Sequence, residues 1–322
     1  VLDSRWARIA VCICATVSLS VAFGADKPKE DEEGSYIRVV RNDKGTPVSM
    51  ETSIITLSNG KTGDEERTID LVSAIHVGDR RYYTQLNDLF TQYDALLYEL
   101  VAPEGSTPAD RPTAGGKHPI AAMQDGLKEL LALEHQLAIV DYEKDNFVHA
   151  DMSPEDFEKA MKERGESFMT MFFRMAFEGM KQQSKKGYSE GEDLRMLMAL
   201  MSPNRPLALK RILSDQFEQL ESISAGLDGP TGSAIVTDRN KKALDVLTKT
   251  LDKGSKKVGI FYGAAHMADM EKRLINDFHF KRTGQKWLVA WDMKENKQTS
   301  EFMKKLEQNR KKRAKLQPAA TP

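Results

Sequence analysis

The chain has two cysteines in 322 residues, Cys12 and Cys14, and nothing after them supplies a thiol. No disulfide framework holds the remaining 308 residues, and no thiolate there can act as nucleophile or metal ligand. Unbroken apolar runs of the roughly 18–20 residues needed to cross a bilayer are missing too, which excludes a polytopic membrane protein. Charge of one sign is not in excess: 47 Lys+Arg stand against 48 Asp+Glu, a net charge of -1. That balance excludes a globally basic nucleic-acid binder, and no nucleic acid is expected as a partner. Neither a His-Glu-x-x-His helix nor a Walker-type phosphate loop occurs. Hydrophobic content of 40% is modest, but 322 residues bury a sizeable core all the same.

What is present begins with an address. Arg5 and Arg8 precede an apolar stretch from Ile9 to Phe23, and Ala22-Phe23-Gly24 offers small residues for cleavage. Residues 1–25 therefore read as a secretory signal peptide, followed by a polar linker over 26–34. The competing reading is an uncleaved membrane anchor. A lipoprotein fits less well, because Val11 stands where a small residue should precede Cys12. Cleavage predicts a secreted or periplasmic mature chain with no cysteine and no stable membrane span.

Patterning over 35–293 predicts one α/β domain. Its central sheet is expected to be mixed or parallel and flanked by helices. Runs at 36–41 and 47–57 read as strands, separated by Asn42-Asp43-Lys44-Gly45. Residues 68–76 read as a strand, and Asp79 can cap a helix with Tyr83, Leu86, Phe90 and Tyr93 on one face. Residues 95–102 read as a buried strand. Together these predict a βαβ unit with a parallel pair. From His118 to about Leu251 the spacing is helical, so a large helical insertion is expected at about 118–232, between two βα half-motifs. The second half-motif is a strand at 257–262, a sharp turn, and a helix at 267–278. Further strand candidates lie at 280–282 and 287–291. Residues 294–322 form a basic tail that includes Lys304, Lys305, Arg310, Lys311, Lys312, Arg313 and Lys315. A solvated end is the simpler reading of that tail, and a working anionic-surface binder the alternative. The Met- and Phe-rich stretch from Met161 to Met201 fits packing between helices, or else a partner-binding face.

Two of the six histidines share a context. His76 ends a strand in Ser73-Ala74-Ile75-His76, and His266 ends one in Gly263-Ala264-Ala265-His266, each followed by a helix. Ligands in open α/β sheets bind beyond the carboxyl ends of the strands, so both imidazoles are expected at that rim. Glu99 is the lone acid within its apolar run. A buried carboxylate there must be paired, hydrogen-bonded or metal-bound, and Arg239 is its candidate ion-pair partner. Two imidazoles and a carboxylate are also a credible divalent-metal site. His149 and Asp151, just before the Ser153 helix cap, are weaker candidates, with Asp151 either supporting the site or capping locally.

These residues resemble a known family. Ser73-Ala74-Ile75-His76-Val77, Leu96-Leu97-Tyr98-Glu99-Leu100, Arg239-Asn240 and Val258-Gly259-Ile260-Phe261-Tyr262-Gly263-Ala264-Ala265-His266 are similar to the TraB/PrgY/GumN proteins. Those proteins are related to the Tiki metalloproteases and, more distantly, to the erythromycin esterase and ChaN-like group. Members carry two Gly-x-x-His motifs, an acid after the first and an arginine before the second. Ser73 stands here in place of the first Gly. The resemblance implies a metal-dependent hydrolase, with peptides or small molecules as substrates. It places His76, Glu99 and His266 as ligands of a divalent ion (manganese, cobalt or zinc) and gives Glu99 and Arg239 catalytic roles. Ser73, Gly263, Asn240, Asp151 and His149 are supporting positions. Relatives that bind without turnover imply the alternative, a protein that captures a peptide signal or a metal complex. Oligomeric state is left open.

Overall fold

Near-continuous apolar strands are stable only when both faces are covered, and that requirement organises this chain. The structure is a computed structural model that describes residues 35–108, 131–166, 191–227 and 232–295. Its sheet strands are β1 (Ile37–Arg41), β2 (Pro47–Ser58), β3 (Thr68–Ala74), β5 (Ala95–Tyr98), β7 (Phe147–His149), β8 (Lys257–Gly263) and β9 (Lys281–Asp292). The two-residue strands β4 (Val77–Gly78) and β6 (Glu134–His135) pair with each other beside it. Helices α1 (Arg80–Phe90), α2 (Pro154–Glu163), α3 (Gly191–Leu200), α4 (Arg205–Leu227), α5 (Arg239–Asp252) and α6 (Met267–Asn276) complete the layers. The architecture is α/β, with a mixed and largely parallel central sheet flanked by helices.

Strands β3, β8, β5 and β7 run parallel in that order. An antiparallel wing of β1, β2 and β9 extends from β3. Strand β2 pairs with β9 along almost its whole length, and with β1 and β3 along its first and second halves. The two strand candidates expected at 280–282 and 287–291 are thus one strand, β9.

The expected direct pairing of β3 with β5 does not occur. Strand β8 lies between them, in register with Val72 against Phe261 and Leu97 against Ile260. Val258, Ile260, Phe261 and Tyr262 are all buried, so β8 fills the most enclosed place in the sheet. Sequence neighbours lose here to a strand that can be covered on both faces. Gly259 makes the tight fit possible. A Cβ there would meet Leu96 Cδ1 at 2.6 Å and the Tyr93 ring at 2.7 Å. Gly259→Ala is therefore expected to destabilise the fold by about 1–3 kcal/mol through overpacking, read as a lower urea midpoint at constant m-value.

Helix α1 buries the expected Tyr83, Leu86 and Phe90, and Tyr82 as well. Asp79 stands at its N-cap position but makes no side-chain cap bond. Its carboxylate is taken by Lys210 at 2.6 Å and by the backbone N–H of Asp292 at 2.5 Å, which ties α4 and β9 to the start of α1. Ser153 does cap α2, accepting from Asp156 N–H, with Pro154 in the first turn. The expected helical stretch after His118 is interrupted: β6 and β7 lie within it, and β7 joins the main sheet. Its three residues are too few to show a period of two. The signal-peptide and linker expectations, the tail from 296 onward, His118 and the Met- and Phe-rich stretch at 168–180 lie outside the described residues. No described helix is long and apolar enough to cross a membrane.

Candidate functional site at the carboxyl rim of the parallel strands

Parallel strands end together, so residues just past those ends are brought side by side. Glu99 follows the last residue of β5, Asp151 lies two residues past β7, and Gly263 closes β8. His266 ends the single turn Ala264–His266 that joins β8 to α6. Arg239 opens α5 after the π-helical turn Ala234–Asp238. Arg164 clamps that turn by donating to both carboxylate oxygens of Asp238, one bond measuring 2.7 Å.

Arg239 is the hub. It donates from Nε and Nη2 to the two oxygens of Asp151, at 2.9 and 2.6 Å. Nη2 also donates to Glu99 Oε1 at 2.7 Å. The second Glu99 oxygen accepts the Gly263 N–H at 2.7 Å. His266 Nε2 lies 3.6 Å from Glu99 Oε1 and 3.5 Å from Arg239 Nη1. Asn240 fixes the ring from behind. Its Nδ2 donates to the His266 carbonyl at 3.0 Å and to Asp269 Oδ2 at 2.9 Å, so its Oδ1 is the acceptor for the imidazole Nδ1–H at 2.7 Å. That bond fixes the ring with Nε2 facing Glu99 and Arg239. The Tyr262 ring packs edge-on against His266, and its hydroxyl donates to the Ala150 carbonyl, tying β8 to the segment that carries Asp151.

The electrostatics follow from the pairing. Burial alone pushes the Glu99 carboxyl up, but the His266, Arg239 and His76 charges and the Gly263 N–H outweigh it and hold the group at about 2. Burial likewise works against the Arg239 charge. The Asp151 hydrogen bonds and the two carboxylate charges overcome it and keep the guanidinium protonated. Burial, then the Asp151 and Glu99 charges, keep the Tyr262 hydroxyl neutral.

Of the residues expected from sequence, Glu99, Arg239, His266, Asn240, Gly263 and Asp151 meet here. His76 sits just past β3 and is exposed, near enough for its charge to act on Glu99. Ser73 is buried inside the sheet, sharing a hydrogen bond with Ser53 Oγ at 3.1 Å, and is no part of the cluster. His149 bonds the Leu100 carbonyl at 2.6 Å and packs on Tyr98, which steadies the chain after Glu99. Asp151 is more than the local cap that its position suggested: its side chain is 0% exposed and is the main partner of Arg239. The Arg164–Asp238 clamp and Tyr262 went unread in the sequence, because neither carries a local pattern. A Gly-x-Ser-x-Gly string runs from Gly187 to Gly191, but all except Gly191 lies outside the described residues.

An oriented imidazole thus lies beside a carboxylate held in its charged form, and both are donor types that a divalent cation takes. Among the described residues no three His, Cys, Asp or Glu side chains form a ready-made ligand set. Compared with known proteins, the chain matches no family model, no curated protein and no solved structure.

Proposed function

We propose that this chain is a metal-dependent hydrolase of the TraB/GumN and Tiki type, acting in a secreted or periplasmic setting, with peptides as the first substrate class. The observation that carries this reading is the approach of His266 Nε2 to Glu99 Oε1, 3.6 Å apart, at the carboxyl rim of β5 and β8. His76, Glu99 and His266 would hold the ion. Such an ion supplies Lewis-acid polarisation of a substrate carbonyl.

The chain's own residues do the rest. Glu99, held at about 2, is an anion throughout the neutral range, so it serves as a fixed negative ligand and makes a poor general base. Asp151 and Glu99 engage Nε and Nη2 of Arg239, which leaves the Nη1 edge, on the His266 side, to donate to a developing oxyanion. Asn240 keeps His266 in one tautomer throughout.

Purified full-length protein is expected to retain manganese, cobalt or zinc on elemental analysis and to turn over peptide substrates repeatedly. His266→Ala should lose both properties while remaining folded. Wild-type protein that carries no divalent metal after exposure to all three ions would end this reading. Leu197, Met198 and Met201, exposed on and just after α3, favour a second reading, capture of a peptide without turnover. Stoichiometric peptide binding with no product over long incubation would support that one.

A further inference from the structure

One buried side-chain polar atom among the described residues lacks a hydrogen-bond partner: Oε1 of Gln136. Gln136 is only 6% exposed. Natural proteins rarely leave a buried amide oxygen unpaired, and each such atom calls for an explanation: strain, a functional partner, or a bound water or ion. The rest of the residue is fixed. Nε2 donates to the Tyr142 hydroxyl at 2.8 Å, and the backbone N–H donates to the His76 carbonyl at 2.9 Å.

That last bond sets which residue stands opposite Gln136. It extends the β4–β6 ladder, in which Val77 opposes His135 and Gly78 opposes Glu134. One step further along the same antiparallel register, His76 opposes Gln136. Directly opposed residues have Cβ atoms about 4.5–5.5 Å apart, within reach of both side chains. In the recorded rotamer the His76 ring is exposed and stops short of Oε1.

The second half-motif shows the arrangement completed. There an amide oxygen, Asn240 Oδ1, accepts the Nδ1–H of His266 at 2.7 Å and aims the opposite nitrogen at Glu99. In the first half-motif the amide is in place and the histidine has yet to engage it. We propose that Gln136 is the positioning residue of His76: once the imidazole rotates inward, Oε1 accepts one ring N–H and holds the other nitrogen toward Glu99. This rests on the metal-site reading above and deepens it, since each of the two histidine ligands then has its own orienting amide. Amide acceptors fix tautomer and ring direction, and losing such a partner weakens metal affinity by about 10–100-fold.

The test is cobalt(II) titration of metal-free full-length protein, followed by absorbance and calorimetry. Gln136→Met is expected to weaken cobalt binding about 10–100-fold. The thermal midpoint of the metal-free variant should change little, because losing the Nε2 bond to Tyr142 is offset by removing an unpaired buried polar atom. Gln136→Glu keeps an acceptor and lacks the amide donor, so it should restore wild-type affinity or exceed it; its failure to do so would count against Oε1 as the acceptor. In a His76→Ala background, Gln136→Met should have no further effect. Cobalt affinity unchanged by Gln136→Met, or a loss of equal size without His76, overturns the inference while leaving the metal reading intact. Wild-type protein that binds no cobalt removes the metal reading, and this inference with it.

Discussion

Replacing Arg239 with Met is expected to cost about 3–5 kcal/mol of folding stability, because it strands two carboxylates in a dry place. Asp151 is 0% exposed at its side chain, so water cannot take over the bonds that the guanidinium makes to it, and Glu99, at 17%, is only partly reached. Arg239→Lys should recover only part of the loss. An ammonium carries the charge but cannot reproduce the planar fork that spans both oxygens of Asp151 and still reaches Glu99. A second change, Asp151→Asn, should return stability to the Arg239→Met variant by removing one stranded charge. Urea unfolding at neutral pH, extrapolated to water, measures all three. A loss below about 1 kcal/mol for Arg239→Met would mean that the cluster is hydrated in solution, contrary to the burial described.

The second large effect is an acid-labile contribution from Glu99. Its folded value of about 2 lies below the ordinary 4.5. The stabilisation is therefore fully present above about 4.5 and drains away as pH falls through about 2. At about 1.4 kcal/mol per tenfold change in proton affinity, the contribution is on the order of 3 kcal/mol. Asp64, Asp94 and Asp238 are also held low by their partners, so the acid limb of the wild-type curve is a composite. The difference between wild type and Glu99→Gln isolates the one group. It should be large at neutral pH and shrink toward pH 2. A difference that stays constant over that range would show that Glu99 is not held ionised by its neighbours.

Most of the elements are legible in the sequence because their signals are local. Strand β8 is apolar from Val258 to its end at Gly263, and α1 places Tyr83, Leu86 and Phe90 at helical spacing. Glu99, Arg239 and His266 stand out as a lone acid in an apolar run, a helix-borne arginine and a strand-end histidine. What the sequence does not expose is partnership. Nothing in 68–102 reveals that a strand from near residue 260 will separate β3 from β5. Asp151 and Arg239 are 88 positions apart, and only the shared rim brings them together. Ser73 shows the converse. The string around it repeats the pattern of the second half-motif, yet its side chain is spent inside the sheet on Ser53.

The central position of β8 has a bearing on how the protein is made. Glu99 finds Arg239 140 positions later and Gly263 164 positions later, so the rim is closed by contacts of very long sequence range. Such closures come late and slowly. During synthesis β3 and β5 emerge well before the strand that belongs between them, and until it arrives both have an inner edge of unsatisfied backbone donors and acceptors. Exposed edges of that kind invite pairing with other chains. Nascent chains halted between residues 151 and 257 are thus the species most prone to aggregate and most dependent on chaperones, and emergence of 257–263 is the point at which that dependence ends.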